Sequence, residues 1–280
     1  MKFFCFIAVL LLTAGVSAAA PSALERRLLA ASGNLRIADT VGNDPVVRRA
    51  ALGWAEANRN VNLTIDQVAL PEVTGGEKKV EYDVVIYQYD PHRNDNVIPA
   101  GKSTDYAADA ALIYVNRENR VDDITLTALG EMFGNAAASW EKINGDKRSP
   151  RRYGVVRPAA GERPFRLLTL GDSPYTDAML FVGTTMEVVS GASGSPAAIG
   201  FGGYSYALPD NVKVLSVNGV APSPEALLSG KYPLMLKRSA AADGANPLGA
   251  LFAELLVSPE VGALAAEAEL FPLSTSDGGI

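Results

Sequence analysis

The chain has 280 residues, with 25 Lys and Arg against 31 Asp and Glu, a formal net charge of −6. Its 48% apolar content is enough for one sizeable α/β domain or two small lobes, and too much for a disordered chain. No positive surplus exists, which excludes a generic nucleic-acid binder. A net negative chain repels anions at long range, so an anion ligand would need strong local donors.

Residues 1–20 read as a separate object. Met1-Lys2 is a short basic start, Phe3 to Leu12 is a nearly unbroken apolar run, and Val16-Ser17-Ala18 with Ala19-Ala20 supplies small residues for a signal peptidase. We read a secretory signal cleaved near Ala18. The apolar run falls short of the roughly 20 residues that span a bilayer, so the mature chain is expected to be periplasmic or secreted, without stable membrane insertion. Cleavage removes Cys5, the only cysteine, and with it any disulfide, Cys-ligated metal or thiol nucleophile.

Beyond the signal, short β-rich runs alternate with amphipathic helices. Leu35 to Ala38 predicts a strand, and Asp44-Pro45 is an N-cap and first-turn pair opening a helix with Val46, Ala50 and Trp54 on one face. Val61, Leu63 and Ile65 alternate with polar residues as in a half-buried strand. Tyr82 to Tyr89 and Ala110 to Val115 are further strands, the first bounded by the Gly75-Gly76 turn and the second preceded by a loop with Pro91 and Pro99. Thr125 to Phe133 reads as a helix stopping at Gly134-Asn135, Phe165 to Leu170 as a strand, and Asp177 to Val189 as a long helix. Ala197 to Phe201, Val212 to Val217 and Tyr232 to Leu236 are later strands, and Ser223-Pro224-Glu225 and Ser258-Pro259-Glu260 each carry helix-start chemistry. The fold class is α/β.

Little in this pattern points to catalysis. The single histidine, His92, sits in a polar turn, Pro91 to Asp95, and reads as an exposed loop residue rather than a general base. Gly191 to Ser195 lacks the spacing of a nucleophile turn and precedes a strand, so it reads as a flexible turn. No His-rich metal box, Walker loop or dinucleotide fingerprint is present, and we expect no enzyme activity, metal or cofactor. Tyr87 and Tyr89 share one strand face, with Gln88 on the other; they and Trp54 and Trp140 are assigned to packing.

A resemblance adds to this reading. Ile199 to Tyr206, Val212 to Gly219, Ala221 to Glu225 and Ser229-Gly-Lys-Tyr-Pro-Leu234 are similar, in order, to the late segment of phosphate-binding proteins of ABC transporters. Leu126-Thr127, Met132-Phe133-Gly134 and Ser139-Trp140 resemble an earlier helix and turn of that family, and Leu256 to Glu260 with Phe271-Pro272-Leu273 its closing helix and tail. The resemblance implies a two-lobed, type 2 periplasmic-binding-protein fold, each lobe a sheet flanked by helices, with a ligand cleft between. It implies lobe 1 from 34–115 plus 207–280 and lobe 2 from 116–206. A ligand buried between such lobes stabilises their closure.

In that family three loops surround the anion with helix N-termini, hydroxyls, an arginine and a carboxylate. Here the first aligns with Asp39 to Pro45, keeping Thr40 but adding acids; the second, at Asp83 to Tyr89, has lost its serine-arginine pair. The glycine-rich segment, near Val68 to Gly76, has lost its serines. The third aligns with Asp172-Ser173-Pro174-Tyr175-Thr176-Asp177, where the arginine is missing. Thr40, Ser173 and Thr176 are therefore the expected ligand contacts. Two functions follow from the resemblance: an exported protein that captures phosphate or another small ligand for an ABC permease, or a degenerate member used as an interaction or sensory module without phosphate binding.

Overall fold

Most helices begin at a residue whose own side chain accepts from their first free N–H groups, as Ser22, Asp44, Thr125, Thr184, Ser223, Asn246 and Ser258 do. Four of these caps are followed by proline, at 45, 224, 247 and 259, where a missing N–H costs nothing. The computed structural model describes residues 21–75, 81–205 and 207–273; the signal expected at 1–20 lies outside them.

In chain order the first half contains α1 (Ala23–Ala30), β1 (Gly33–Asp39), α2 (Pro45–Ala57), β2 (Val61–Gln67), α3 (Leu70–Thr74), β3 (Val84–Tyr89), β4 (Lys102–Ala110), β5 (Leu112–Asn116), β6 (Asp123–Ile124) and α4 (Leu126–Gly134). The second half contains β7 (Arg151–Val155), α5 (Glu162–Phe165, continued by a π turn at Arg166–Leu170), β8 (Met179–Val182), α6 (Thr185–Ser193), β9 (Ala198–Gly202), β10 (Val212–Val214), β11 (Ser216–Val217) and α7 (Pro224–Leu228). The chain then returns through β12 (Met235–Ala242), α8 (Pro247–Leu256), α9 (Pro259–Glu267) and β13 (Phe271–Pro272).

Two main sheets result, in the orders β13-β4-β12-β3-β1-β2 and β10-β5-β9-β7-β8. In the first, β1 runs parallel to β2 and β3, while β12 is antiparallel to both β3 and β4. Leu35, Ile37, Val84 and Ile86 pack from this sheet against Val46, Val47, Ala50 and Trp54 of α2 and Phe252 and Leu256 of α8. Trp54 stacks on Phe252 and donates its indole N–H to the Leu28 carbonyl at 3.0 Å, so its one polar atom is satisfied in the core. The second core holds Ile113, Phe133, Trp140, Phe165, Val188 and Phe201, with Phe165 stacked on Phe201 at 3.9 Å. Trp140 lies there, as expected, with its N–H on the Ala197 carbonyl. Tyr87 is buried; His92 is exposed and its ring faces the Tyr232 carbonyl at 3.1 Å.

The structure corrects several expectations. Phe165 to Leu170 is helical rather than extended, because Gly161, at φ +84°, turns the chain into α5 and the second core takes Phe165. Asp177 to Val189 is a strand followed by a helix. Thr184 and Glu187 form a reciprocal capping box that starts α6 only after β8 has ended. Gly191 and Ser193 close that helix and are not a free turn. β5 and β10, both placed in the first lobe by the resemblance, pair with each other and belong to the second sheet. The chain thus crosses to the second sheet at Ala111 and returns to the first between Val214 and Met235, β11 pairing with β6 on the way in a small sheet of its own. β5 is buried at every position, so no exposed face marks which sheet it joins.

Candidate functional site

The C-terminal ends of β1 and β3, the end of β4 and the start of β12 converge on the edge of the first sheet that faces the second lobe. Ligands of open α/β sheets collect at such strand ends. Here the positions are occupied by buried Asp39, Asp44, Asp109 and Arg238 and by Gln88.

Asp39 ends β1 and turns back on the loop it starts. Its Oδ1 accepts from Val41 N at 3.0 Å and Gly42 N at 3.2 Å, and its Oδ2 from Asp44 N at 2.8 Å. Gly42 and Asn43 make this possible by adopting φ of +94° and +65°, which curls the loop so that its N–H groups face one point. Asp44 then caps α2, its Oδ1 accepting from Val46 N and Val47 N at 2.9 and 3.0 Å. Its Oδ2 accepts from Arg238 Nη1 at 2.7 Å and from the Tyr106 hydroxyl at 2.8 Å.

Arg238 joins this cap to a second carboxylate, donating from Nη2 to Asp109 Oδ2 at 2.7 Å. Asp109 Oδ2 also accepts from Gln88 Nε2 at 3.1 Å, and its Oδ1 accepts from Gly161 N at 2.8 Å, at the start of α5 in the other lobe. Burial alone would lower the Arg238 pKa; the Asp44 and Asp109 carboxylates outweigh that and raise it, so the guanidinium stays charged. Burial, and then the Asp44 charge, push the Tyr106 hydroxyl well above the usual tyrosine range. Arg238 Nε and Gln88 Oε1 are buried without hydrogen-bond partners.

A second link crosses the same gap. Arg163 donates from Nη1 to the Val41 carbonyl at 3.2 Å, and Ala160 packs into the first core. Arg157 pairs with buried Glu162 at 2.7 Å.

Of the three residues expected to contact a ligand, Thr40 alone lies beside this network. Its N–H and hydroxyl both donate to the Ile86 carbonyl, at 3.0 and 2.8 Å, so its hydroxyl proton is already used. Ser173 is exposed, and its N–H bonds Leu170 O at the far end of the helical stretch that begins at Glu162. Thr176 is buried with its N–H on the Phe133 carbonyl. No helix begins at Asp177, so the loop at 172–177 does not aim N–H groups into the cleft. The helix that does so begins at Gly161, after Arg157 to Ala160. A glycine followed by Glu162 and an apolar spacing at Phe165 and Leu168 was the sequence signal for it.

Comparison with known proteins places this geometry in a family context. A phosphate-binding protein PstS of Bacillus subtilis is 26% identical over 266 residues, covering 93% of this chain and 87% of that protein. A phosphate-binding protein PstS of Borreliella burgdorferi is 23% identical over 203 residues, 68% of this chain and 71% of that protein. The chain is related to the phosphate-binding proteins of ABC transporters. The crystal structure of PstS from Borrelia burgdorferi superposes with a TM-score of 0.67 at 17% identity, covering 87% of this chain and all of that one. The two-lobed type 2 periplasmic-binding-protein fold expected from the sequence is therefore the fold of this chain. No family model matches it. Among the described residues no single helix is long and apolar enough to cross a membrane.

Proposed function

We propose that this chain is an exported homologue of substrate-binding proteins that works as an interaction or sensory module and does not capture phosphate. One observation carries the reading: the donors at the strand ends are already answered by carboxylates of the chain itself. Asp39 holds the loop N–H groups, Asp44 the first N–H groups of α2, and Asp109 the start of α5. Two buried carboxylates, Asp44 and Asp109, face the buried Arg238 guanidinium, and a third, Asp39, lies buried in the loop that leads to Asp44, so a phosphate entering here would meet excess negative charge in a desolvated place. The loop beside α5, Arg157 to Gly161, contains no hydroxyl to add. Export is supported by the apolar, small-residue N-terminal pattern and by the family resemblance.

Calorimetric titration of the mature protein, refolded to strip bound ligand, tests this with phosphate and then sulfate. We expect no saturable heat and no thermal stabilisation at millimolar anion. Saturable phosphate binding at micromolar or tighter affinity would overturn the reading in favour of capture for an ABC permease.

A further inference from the structure

The cleft holds a carboxylate in the manner in which a binding protein holds its ligand. We propose that Asp109 is a tethered ligand: its carboxylate fills a seat for a small planar carboxylate, formed by Arg238, Gln88 and the Gly161 N–H, and thereby keeps the two lobes closed. The inference rests on the reading of the cleft as self-occupied and goes further, since it names the residue that does so and the chemical class that would replace it.

The geometry is that of a bound oxyanion. Both oxygens of Asp109 are engaged, Oδ2 by a guanidinium at 2.7 Å and an amide at 3.1 Å, Oδ1 by a backbone N–H at 2.8 Å. The donors come from three elements, β12, β3 and the start of α5, and from both lobes. Ligand-driven closure works in this way, because the bond set is complete only when the lobes meet. The side chains of Asp109 and Arg238 are 3% and 8% exposed, so no water competes for these bonds. Independently of them, Arg238 Nε is buried and unpartnered. The pairing with Asp44 and Asp109 thus leaves one buried donor of this guanidinium unspent. The planar, singly charged carboxylate suits the site better than phosphate, because Asp44 lies on the other arm of the same guanidinium, 2.7 Å from Nη1, and penalises extra negative charge.

The test uses the mature protein and its Asp109→Gly variant, which removes Cβ as well as the carboxylate and leaves room for formate. The wild type is expected to show the same radius of gyration in X-ray scattering and the same thermal midpoint with or without formate. The variant is expected to be expanded without formate, and to regain both the wild-type radius and a raised midpoint as formate is added, saturating at about millimolar concentration, the range open to a ligand of three heavy atoms. Sulfate and phosphate should do so less well. An Asp109→Gly protein as compact and as stable as the wild type without formate would overturn the proposal. If that variant does not fold, Asp109→Asn decides: a wild-type radius and midpoint overturn it, and an expanded, formate-insensitive protein supports it. Phosphate binding by the wild type would sink the functional reading alone, provided that Asp109→Gly still needs formate to close.

Discussion

Two carboxylate–cation pairs sit on opposite faces of the same two strands, and they behave differently. Lys237 and Arg238 are adjacent on β12, so they point to opposite sides of the sheet. On one side Asp105 accepts from Lys237 Nζ at 3.0 Å, from the Tyr89 hydroxyl at 2.9 Å and from the Ser239 hydroxyl. All these partners belong to the first sheet, and the Lys237 and Asp105 side chains keep 16% and 28% of their surface in water. On the other side Arg238 and Asp109 keep 8% and 3%, and the set is completed only by Gly161 of the opposite lobe. The lesson is that similar residue pairs on one strand do different jobs: the first ties a sheet together, the second reports whether two lobes have met.

Breaking the buried pair should produce the largest effect. Arg238→Met leaves Asp44 and Asp109 buried without their cation, and a loss of about 3–5 kcal/mol is expected in urea unfolding. A loss below about 1 kcal/mol would show that the site is wetter than its burial implies. Next comes Tyr106→Phe, which removes a hydroxyl donor to the Asp44 carboxylate and should cost about 1.5–3 kcal/mol. Gly161→Ala should cost about 1–3 kcal/mol from overpacking, since its Cβ would lie 2.5 Å from the Gly202 carbonyl carbon and oxygen. Unchanged stability would mean that α5 can shift without strain.

The pH profile sharpens the same contrast. Burial raises the pKa values of Tyr106, Tyr114 and Tyr232, so above pH ~10 these groups ionise in the unfolded chain while staying neutral in the folded one. The unfolded state then binds fewer protons, and stability falls with rising pH by up to about 1.4 kcal/mol per pH unit for each such group. Below that pH their contribution is intact. Tyr106→Phe should flatten the alkaline slope by one group's share. The smallest effect is expected for Lys237→Met, under about 1 kcal/mol; a cost equal to that of Arg238→Met would erase the distinction between the two faces.

Much of the first sheet was legible in the chain. Alternation at Val61, Leu63 and Ile65 marked β2, and the Asp44-Pro45 pair marked the start of α2, because a cap and its helix lie within three residues of each other. Thr40 came instead from the family resemblance of the loop from Asp39 to Pro45, and its hydroxyl is spent on the Ile86 carbonyl. The stretch from Phe165 to Val189 was not legible. Short apolar runs there suit strand or helix equally, and the second core, through Phe165 and Phe201, selected the helix. Ser173 and Thr176 came from the loop at 172–177 that the resemblance puts before a helix start at Asp177, and no helix begins there. Asp109 and Arg238 carried no local signal of their pairing, since they lie 129 residues apart on strands that only the fold brings together.

By itself, the sequence determined the α/β alternation, the helix starts and the family resemblance, all of which rest on residues within a few positions of one another or on ordered motifs along the chain. Only the tertiary structure decided which carboxylate faces which cation. Arg238 meets Asp44 across 194 residues and Asp109 across 129, and such pairs exist only when strands from both ends of the chain lie side by side. Whether a helix N-terminus is open to a ligand or answered from within depends on that placement, because a buried N–H donates to whichever oxygen the fold brings within about 3 Å.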